Sequence, residues 1–269
     1  MIKAAVIGHP IAHSKSPLIH GYWISHYALE GSYAAIDIAP EELEKRIAQM
    51  VKDGYTGFNV TLPHKQAVMK LCASLSDEAR AIGAVNTVVV DPTGRLHGYN
   101  TDGYGFTQNL LAHVPSFDWN HVPCVVLGAG GAARAILHAL KTKNVPHIVI
   151  LNRTFATAQK LGDEFGAQVL PWEKRHDILA ECTLLVNTTA LGMTGKDPLD
   201  ICLDELPPHA VVYDIVYNPL MTGLLQAAQQ RGNTVVTGIG MLLHQARPAF
   251  RHWFGIMPDV TPELEKLVL

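Results

Sequence analysis

The sequence predicts an α/β protein with two domains, an N-terminal domain built on a mixed sheet and a doubly wound second domain. Three observations support this prediction. Short β-rich apolar runs alternate with helical patterns from one end of the chain to the other. The 269 residues exceed the roughly 100–200 residues of a typical single domain. The composition is 48% hydrophobic and only 17% charged, so a large buried core can form.

Strands and helices alternate in the first half of the predicted N-terminal domain. In chain order, the predicted elements are strand Ala4–Ile7, helix Ser16–Leu29, strand Tyr33–Ile38, helix Pro40–Lys52 and strand Phe58–Thr61. The first helix opens with Ser-Pro, a pair typical of an N-cap followed by a first-turn proline.

A hairpin is predicted to complete the first sheet. The strands Val85–Val90 and Arg95–Tyr99 flank the turn Asp91–Gly94, whose sequence Asp-Pro-Thr-Gly favours a tight reversal. Because hairpin strands are antiparallel, we expect the first sheet to be mixed.

The second domain is predicted to begin with a connecting helix, Asp102–Ala112, and an irregular polar segment, Pro115–His121. The apolar run Val122–Leu127 is typical of a strand buried on both faces. Further strands are predicted at His147–Leu151, Leu184–Asn187, Val211–Tyr213 and Thr234–Thr237. A C-terminal helix, Met241–Phe254, is expected to return to the first domain. The predicted domains are therefore residues 1–101 with 241–269, and residues 102–240.

The charge balance argues against a nucleic-acid binder that works by bulk charge. The 21 Lys and Arg residues against 24 Asp and Glu residues give a formal net charge of −3, whereas phosphate backbones attract a basic surface. No stretch approaches the roughly 18 consecutive apolar residues of a membrane-spanning helix. We therefore expect neither a nucleic-acid nor a membrane partner.

The cysteine and histidine patterns predict no metal site. No C-x-x-C spacing occurs among the four cysteines, which we interpret as reduced thiols of a cytoplasmic protein; they are Cys72, Cys124, Cys182 and Cys202. Four of the 14 histidines are close together in the sequence, but no acidic residue lies among them to complete a metal site; they are His9, His13, His20 and His26.

A glycine motif predicts a dinucleotide site. The pattern Gly128-x-Gly130-x-x-Ala133 lies between a predicted strand and a predicted helix, as the Rossmann-type fingerprint requires. Gly128 permits the tight turn, Gly130 lets the backbone approach a pyrophosphate, and the helix N-terminus attracts that anion. The alternative is a plain strand-to-helix turn.

The end of the next predicted strand indicates which dinucleotide binds. Sites for NAD place a carboxylate here for the ribose 2′-hydroxyl, but this chain has Asn152-Arg153-Thr154. A guanidinium suits a 2′-phosphate, so we predict NADP(H) rather than NAD(H). The alternative is that Arg153 is a solvated surface residue and Asn152 a turn former.

Four polar clusters predict a pocket for a small polyhydroxylated acid. They lie at predicted strand ends or helix starts, and they are Ser14–Pro17, Asn59–Lys65, Asn86–Thr87 and Asn100–Asp102. Neutral Ser, Thr and Asn side chains suit hydroxyl groups, and a helix N-terminus suits a carboxylate. For any one cluster the alternative is ordinary capping or turn formation.

Nine motifs, in order along nearly the whole chain, resemble those of the shikimate dehydrogenases. They are Ser14–Pro17, Asn59–Lys65, Gly83–Thr87, Asn100–Gly103, the glycine motif, Asn152–Thr154, Asn187–Thr189 with Gly192-Met193, Asp214–Pro219 and Gly238–Gln245. The resemblance implies a Rossmann-type NADP-binding domain beside a substrate domain. It also implies reversible reduction of 3-dehydroshikimate to shikimate with NADPH, in the route to chorismate and aromatic amino acids.

The resemblance also implies roles for individual residues. Lys65 and Asp102 would be the catalytic pair. The substrate contacts would be Ser14, Ser16, Thr61, Asn86, Tyr217 and Gln245. The cofactor contacts would be Gly128, Ala129, Gly130, Gly131, Ala132, Asn152, Arg153, Thr154, Ile215 and Gly238. The expected partner is a small-molecule substrate, and the expected assembly is a monomer or a homodimer.

One departure from the family pattern concerns the 2′-phosphate. Many relatives have a lysine three residues after the arginine of Asn-Arg-Thr, whereas Phe155, Ala156 and Thr157 follow that arginine triplet here. The preference for NADP then depends on Arg153 with Thr154.

The chemistry needs a proton donor, because hydride transfer to a ketone leaves negative charge on oxygen. Lys65 can supply the proton and Asp102 can orient it. Two alternatives remain: a quinate/shikimate dehydrogenase of broader range, and a non-catalytic NADP(H)-sensing protein of the same fold. Serine at both positions 14 and 16 favours shikimate, and the presence of both Lys65 and Asp102 favours catalysis.

Overall fold

The computed structural model describes residues 1–120 and 123–269. The chain forms two compact units, one made of Met1–Asp102 with Leu243–Leu269 and the other of Gly103–Leu242. The predicted boundaries, after residues 101 and 240, differ from these by one and two residues. The predicted strand residue Val122 and the loop residue His121 lie outside the described residues.

A mixed six-stranded sheet forms the core of the first unit, as predicted. Its strands are β1 (Ile2–Gly8), β2 (Gly31–Asp37), β3 (Gly57–Val60), β4 (Ser74–Leu75), β5 (Thr87–Val90) and β6 (Leu96–Tyr99), in the spatial order β2-β1-β3-β5-β6-β4. Strand β5 is antiparallel to β3 and β6, and the other pairs are parallel. The unit also contains the helices α1 (Ser16–His26), α2 (Leu43–Lys52) and α3 (Asp77–Ile82).

An all-parallel six-stranded sheet forms the second unit, which confirms the doubly wound prediction. After α4 (Asp102–His113), the elements are β7 (Cys124–Leu127), α5 (Gly131–Thr142), β8 (Ile148–Leu151), α6 (Phe155–Phe165), β9 (Gln168–Leu170), β10 (Leu184–Asn187), β11 (Val211–Asp214), α7 (Gly223–Gln230) and β12 (Thr234–Val236). Their spatial order is β12-β11-β10-β7-β8-β9.

Two C-terminal helices complete the fold, α8 (Gly238–Phe254) and α9 (Pro262–Val268). The boundary between the units falls within α8, and α8 from Leu243 onward belongs to the first unit together with α9. Trp253 of α8 donates its indole N–H to the carbonyl oxygen of Val88 at 3.0 Å. The expected return of a C-terminal helix to the first domain is therefore confirmed.

The central strands of the second sheet are buried on both faces. Successive residues enter two different apolar clusters, because side chains alternate across a strand. Val126, Ile150 and Val186 pack in one cluster, whereas Val125 and Val149 pack in the other. This explains why the sequence of each central strand is an unbroken apolar run.

Several predicted element boundaries were wrong. Helix α1 ends at His26 rather than Leu29, since Ala28 takes a positive φ of 51° that a right-handed helix cannot hold. Ser16 is not the N-cap: Lys15 occupies that position, and the Ser14 hydroxyl accepts a hydrogen bond from the Ser16 backbone N–H at 3.3 Å.

Three other elements begin later or earlier than predicted. Pro40–Glu42 forms a short 3₁₀ turn, so α2 begins only at Leu43. Helix α8 begins at Gly238 rather than Met241. Strand β5 begins at Thr87 rather than Val85, because the Val85 N–H donates to the carbonyl oxygen of Lys65 at 2.8 Å. This bond ties the segment that carries Lys65 to the start of the hairpin.

Within the described ranges 1–120 and 123–269, no helix combines the length and the apolar character needed to cross a bilayer.

Candidate active site and cofactor pocket

Lys65 and Asp102 form an ion pair in the first unit. Lys65 Nζ lies 2.5 Å from Asp102 Oδ2, and the two side chains are 17% and 9% exposed. Asp102 is the first residue of α4, where the helix dipole stabilises a carboxylate. The lysine therefore keeps some access to the surface while its partner is almost fully buried.

The Asn86 amide binds the other oxygen of the same carboxylate. Asn86 Nδ2 donates to Asp102 Oδ1 at 2.8 Å. The orientation of this amide is determined by its neighbours, because the Thr101 backbone N–H can only donate and lies 2.9 Å from Asn86 Oδ1. Both oxygens of Asp102 therefore have donors, one from a lysine and one from an amide.

Gln245 of α8 joins this cluster. Its Oε1 lies 3.4 Å from both Asn86 Nδ2 and the Thr101 hydroxyl. The structure thus brings together four of the predicted residues, namely Lys65, Asn86, Asp102 and Gln245. Thr101 is a fifth member that was not predicted as a site residue, although it lies in the polar cluster Asn100–Asp102.

The other predicted substrate contacts are not bonded to this pair. Ser14 and Ser16 lie together at the start of α1, and Thr61 follows β3, with its N–H donating to the carbonyl oxygen of Ile7 at 2.9 Å. Tyr217 lies in the second unit, where burial raises the pKa of its phenol. No hydrogen bond among the described residues joins Ser14, Ser16 or Thr61 to Lys65 or Asp102.

The glycine motif forms a tight turn between β7 and α5. Gly128 has a φ of 107°, and a Cβ there would lie only 2.5 Å from the Thr188 hydroxyl, so only glycine fits. Gly130 is the N-cap of α5 and contributes no side chain to cap it. The backbone N–H groups of the first turn, including those of Gly131 and Ala132, therefore have no intrahelical partner and can bind an anion.

A cavity of about 310 Å³ lies at this turn. Five predicted cofactor residues line it, namely Gly128, Ala129, Gly130, Asn152 and Arg153. The lining residues that were not predicted are Trp172, Thr188, Thr189, Ala190, Leu191, Lys196 and Asp197. Thr188 and Thr189 follow β10 at the carboxyl edge of the sheet, so their position could have been predicted from the strand. Trp172 begins a short 3₁₀ helix just after β9, a strand that was not predicted, and Lys196 lies in a turn with no local signal.

The remaining predicted cofactor residues lie beside this cavity or further along the second unit. Thr154 is the N-cap of α6, and its carbonyl oxygen accepts from Asn152 Nδ2 at 3.0 Å. Gly238 and Ile215 are in contact, because a Cβ on Gly238 would lie 2.3 Å from the Ile215 carbonyl oxygen.

Arg153 is exposed at the cavity and is available for an anion. Among the residues that the structure describes, no carboxylate pairs with its guanidinium. The absence of an acid at the end of β8, together with this free cation, fits a nucleotide that carries a 2′-phosphate.

A buried carboxylate holds the turn after β10, which lines the cavity. Asp214 Oδ1 accepts from Asn187 Nδ2 at 3.0 Å, and Asn187 Oδ1 accepts from the Thr189 N–H at 3.0 Å. Burial raises the pKa of Asp214 above its usual value. The geometry fixes Thr189 where it lines the cavity.

The described residues contain no group of three or more His, Cys, Asp or Glu side chains arranged to hold a metal ion.

His20 is a buried residue of α1, one helical turn after Ser16. It is 0% exposed, and neither ring nitrogen makes a hydrogen bond of normal geometry. Its ring stacks on Tyr33, with the centroids 4.1 Å apart. Burial lowers the pKa of His20 to about 3, with the Asn59 side chain opposing this shift.

Comparison with known proteins places the chain among enzymes of one family. Three family descriptions match it in order: "Shikimate dehydrogenase substrate binding domain" over residues 6–88, "Shikimate / quinate 5-dehydrogenase" over residues 111–194, and "Shikimate 5'-dehydrogenase C-terminal domain" over residues 238–262. The chain is 46% identical to a shikimate dehydrogenase (NADP(+)) of Roseobacter denitrificans, over 99% of this chain and 97% of the relative. It is 49% identical to one of Mesorhizobium japonicum, over 99% and 95%.

Solved structures are also similar to this chain over nearly its whole length. Shikimate 5-dehydrogenase from Thermus thermophilus, in complex with NADP(H) and shikimate, superposes with a TM-score of 0.89 at 39% identity and covers 100% of this chain and 98% of its own. Quinate dehydrogenase from Corynebacterium glutamicum, in complex with NAD, superposes with a TM-score of 0.90 at 30% identity, over 99% and 97%.

The neutral state of His20 makes a prediction about stability and pH. Its pKa in the fold, about 3, lies below the ordinary value of 6.5. As the pH falls below 6.5, the unfolded chain therefore binds a proton that the folded chain does not, and stability is lost. Between pH 7.5 and 5.0 this loss amounts to about 2 kcal/mol. We expect His20→Phe, which keeps an aromatic ring, to remove this part of the pH dependence.

Urea denaturation of both proteins at the two pH values measures this difference. His209→Gln is the control, because it removes an exposed histidine instead of a buried one. If wild type and His20→Phe lost the same free energy of unfolding on acidification, His20 would not be held neutral in the fold.

Proposed function

This chain belongs to the shikimate dehydrogenase family and has NADP-dependent shikimate dehydrogenase activity, and we propose that Lys65 and Asp102 carry out the proton transfer in that reaction. The observation that carries the proposal is the 2.5 Å contact between Lys65 Nζ and Asp102 Oδ2. The activity belongs to the shikimate pathway, which leads to the aromatic amino acids.

Reduction of the ketone of 3-dehydroshikimate leaves negative charge on its oxygen, which needs a proton donor within hydrogen-bond reach. NADPH, when bound, supplies the hydride. Lys65 donates the proton from Nζ to that oxygen, and in the reverse direction it takes the proton from the shikimate hydroxyl. Asp102 holds the ammonium in position and offsets its charge. The partial exposure of the Lys65 side chain, 17%, supports this role, since a donor must be able to reach substrate.

We propose that the first unit binds the substrate. The match of residues 6–88 to a substrate-binding domain supports this assignment. Gln245, clustered with the catalytic pair, offers an amide to the ring hydroxyls. We propose Asn86 as a substrate contact from the family resemblance. Ser14 and Ser16 lie at the start of α1, where hydroxyls and backbone N–H groups suit the carboxylate. We propose the remaining contacts, Thr61 and Tyr217, from the family resemblance.

We propose that the second unit binds NADP(H). The bare first turn of α5 suits the pyrophosphate, and the open space around Gly130 and Gly131 leaves room for it. Arg153 binds the 2′-phosphate, with Asn152 and Thr154 shaping the turn. The other proposed contacts are Gly128, Ala129, Ala132, Ile215 and Gly238. Because all four cysteines are free thiols, we also propose a cytoplasmic location.

The proposed role of Lys65 predicts a loss in kcat. We expect Lys65→Ala to lower kcat for shikimate oxidation with NADP by at least about a hundredfold, the usual contribution of a positioned acid or base, with a smaller change in KM. Absorbance at 340 nm measures both constants. The control is Lys70→Ala, a lysine on a neighbouring segment that has no ion pair within the described residues. A loss confined to KM would make Lys65 a binding residue and contradict the proposal.

The proposed role of Arg153 predicts a change in cofactor affinity. Loss of a charged hydrogen bond costs about 1.5–3 kcal/mol, so we expect Arg153→Ala to raise the Kd for NADPH by about 10- to 100-fold. The Kd for NADH, which lacks the 2′-phosphate, should change less than about twofold. Fluorescence titration in the absence of substrate measures both. Lys160→Ala, which removes an exposed cation from α6, controls for net charge. Equal losses for NADPH and NADH, or no loss, would contradict the assignment.

A further inference from the structure

A chain of hydrogen bonds, buried from Asn59 onward, leads from Tyr33 to the catalytic pair. The Tyr33 hydroxyl donates to Asn59 Oδ1 at 2.6 Å. Asn59 Nδ2 donates to the Thr87 hydroxyl at 3.1 Å, and Thr87 Oγ1 donates to Asn86 Oδ1 at 3.0 Å. We refer to Tyr33, Asn59, Thr87 and Asn86 as the orienting chain.

Every bond in the orienting chain has one possible direction. The Thr87 hydroxyl accepts from the Asn59 amide nitrogen, so its single proton is free to go to Asn86 Oδ1. Asn86 Oδ1 then accepts from Thr87 as well as from the Thr101 N–H. The Asn86 amide nitrogen must face the Asp102 carboxylate as a result.

The sheet fixes the middle of the orienting chain. Asn59 of β3 lies directly opposite Thr87 of β5 in the antiparallel ladder. Thr87 is 0% exposed, Asn86 3% and Asn59 5%. Since an unpaired polar group at this depth destabilises the fold, these side chains hold one another in a single arrangement. The buried Thr87 hydroxyl cannot touch a substrate and can act only through its neighbours.

Tyr33 anchors the far end. Its ring stacks on His20 with an interplanar angle of 7°. Burial raises the pKa of the Tyr33 phenol, with the Ser16 side chain opposing this shift, so the hydroxyl keeps its proton and remains a donor. The direction of the first bond in the orienting chain is therefore constant.

We propose that Thr87, held by Asn59 and Tyr33, is a positioning residue that acts together with the Thr101 N–H to keep the Asn86 amide turned toward Asp102, and thereby sets the Asp102–Lys65 pair for proton transfer. This inference rests on the proposed roles of Lys65 and Asp102. Thr87 acts through its hydroxyl, which accepts from Asn59 and donates to Asn86, so the hydroxyl is required and the methyl group is not.

The test compares Thr87→Val with Thr87→Ser. Valine keeps the shape of threonine but removes the hydroxyl, so we expect kcat for shikimate oxidation to fall by at least about tenfold. Serine restores the hydroxyl, and we expect kcat within about threefold of wild type. The KM for NADP should stay within about twofold in both variants, because Thr87 lies in the other unit from the cofactor pocket. Equal kcat losses in the two variants, or no loss in Thr87→Val, would overturn the proposal.

Tyr33→Phe provides a second test of the orienting chain in case Thr87→Val does not fold. It removes the first donor and leaves the ring to stack on His20, so we expect a several-fold lower kcat in a protein that still folds, with a melting temperature lowered by a few degrees because Asn59 Oδ1 loses its donor. An unchanged kcat in Tyr33→Phe would overturn the proposal that Tyr33 and Asn59 help to hold Thr87 in position. Lys65→Ala distinguishes failure of the orienting chain from failure of the catalytic pair. If Lys65→Ala loses activity while Thr87→Val keeps it, only the proposed role of the orienting chain is wrong. If Lys65→Ala keeps activity, the catalytic pair is wrong and this inference fails with it.

Discussion

Both oxygens of the Asp102 carboxylate accept a hydrogen bond, one from Lys65 and one from Asn86. A carboxylate that is only 9% exposed strongly destabilises a fold unless it is paired and hydrogen-bonded. Three parts of the first unit must therefore meet at this point: the segment after β3, the residues that enter β5, and Asp102 at the start of α4. The backbone bond from Val85 to Lys65 and the Thr101 N–H to Asn86 bring them together.

The cavity of the second unit is formed in a simpler way than the cluster around Asp102. Its parallel strands end at one edge, and the residues that follow them form a cavity suited to an anionic nucleotide. The turn after β7 supplies backbone N–H groups, the turn after β8 supplies Arg153, and the turn after β10 supplies Thr188. The proposed phosphate site needs no buried charge of its own, because the helix terminus and the exposed guanidinium lie near solvent.

The sequence predicted those features that depend on neighbouring residues. The run Val122–Leu127 before Gly128 is a local signal, and the described part of that strand and its glycine turn lie where it placed them. Strands β4 and β9, with two and three residues, are too short to show a period and were missed. The helices α3, α6, α7 and α9 were also not predicted. Lys196 reaches the cavity through the tertiary fold, which no local pattern records.

The candidate site likewise combines features that could be predicted from the sequence with features that depend on the tertiary fold. The pairing of Lys65 with Asp102 came from the family resemblance, not from spacing, since 37 residues separate them. The part played by Thr87 could not be predicted, because it depends on which residue of β3 lies opposite in the ladder. A shift of one residue in that pairing would turn the hydroxyl to the other face of the sheet.

The most direct test of this account is a double-mutant cycle on kcat for shikimate oxidation, combining Asp102→Asn with Lys65→Ala. If Asp102 acts through Lys65, Asp102→Asn lowers kcat by at least about tenfold in wild type and by less than about twofold once Lys65 is absent. If the two losses multiplied instead, the residues would act independently, and the account of one oriented pair would be wrong.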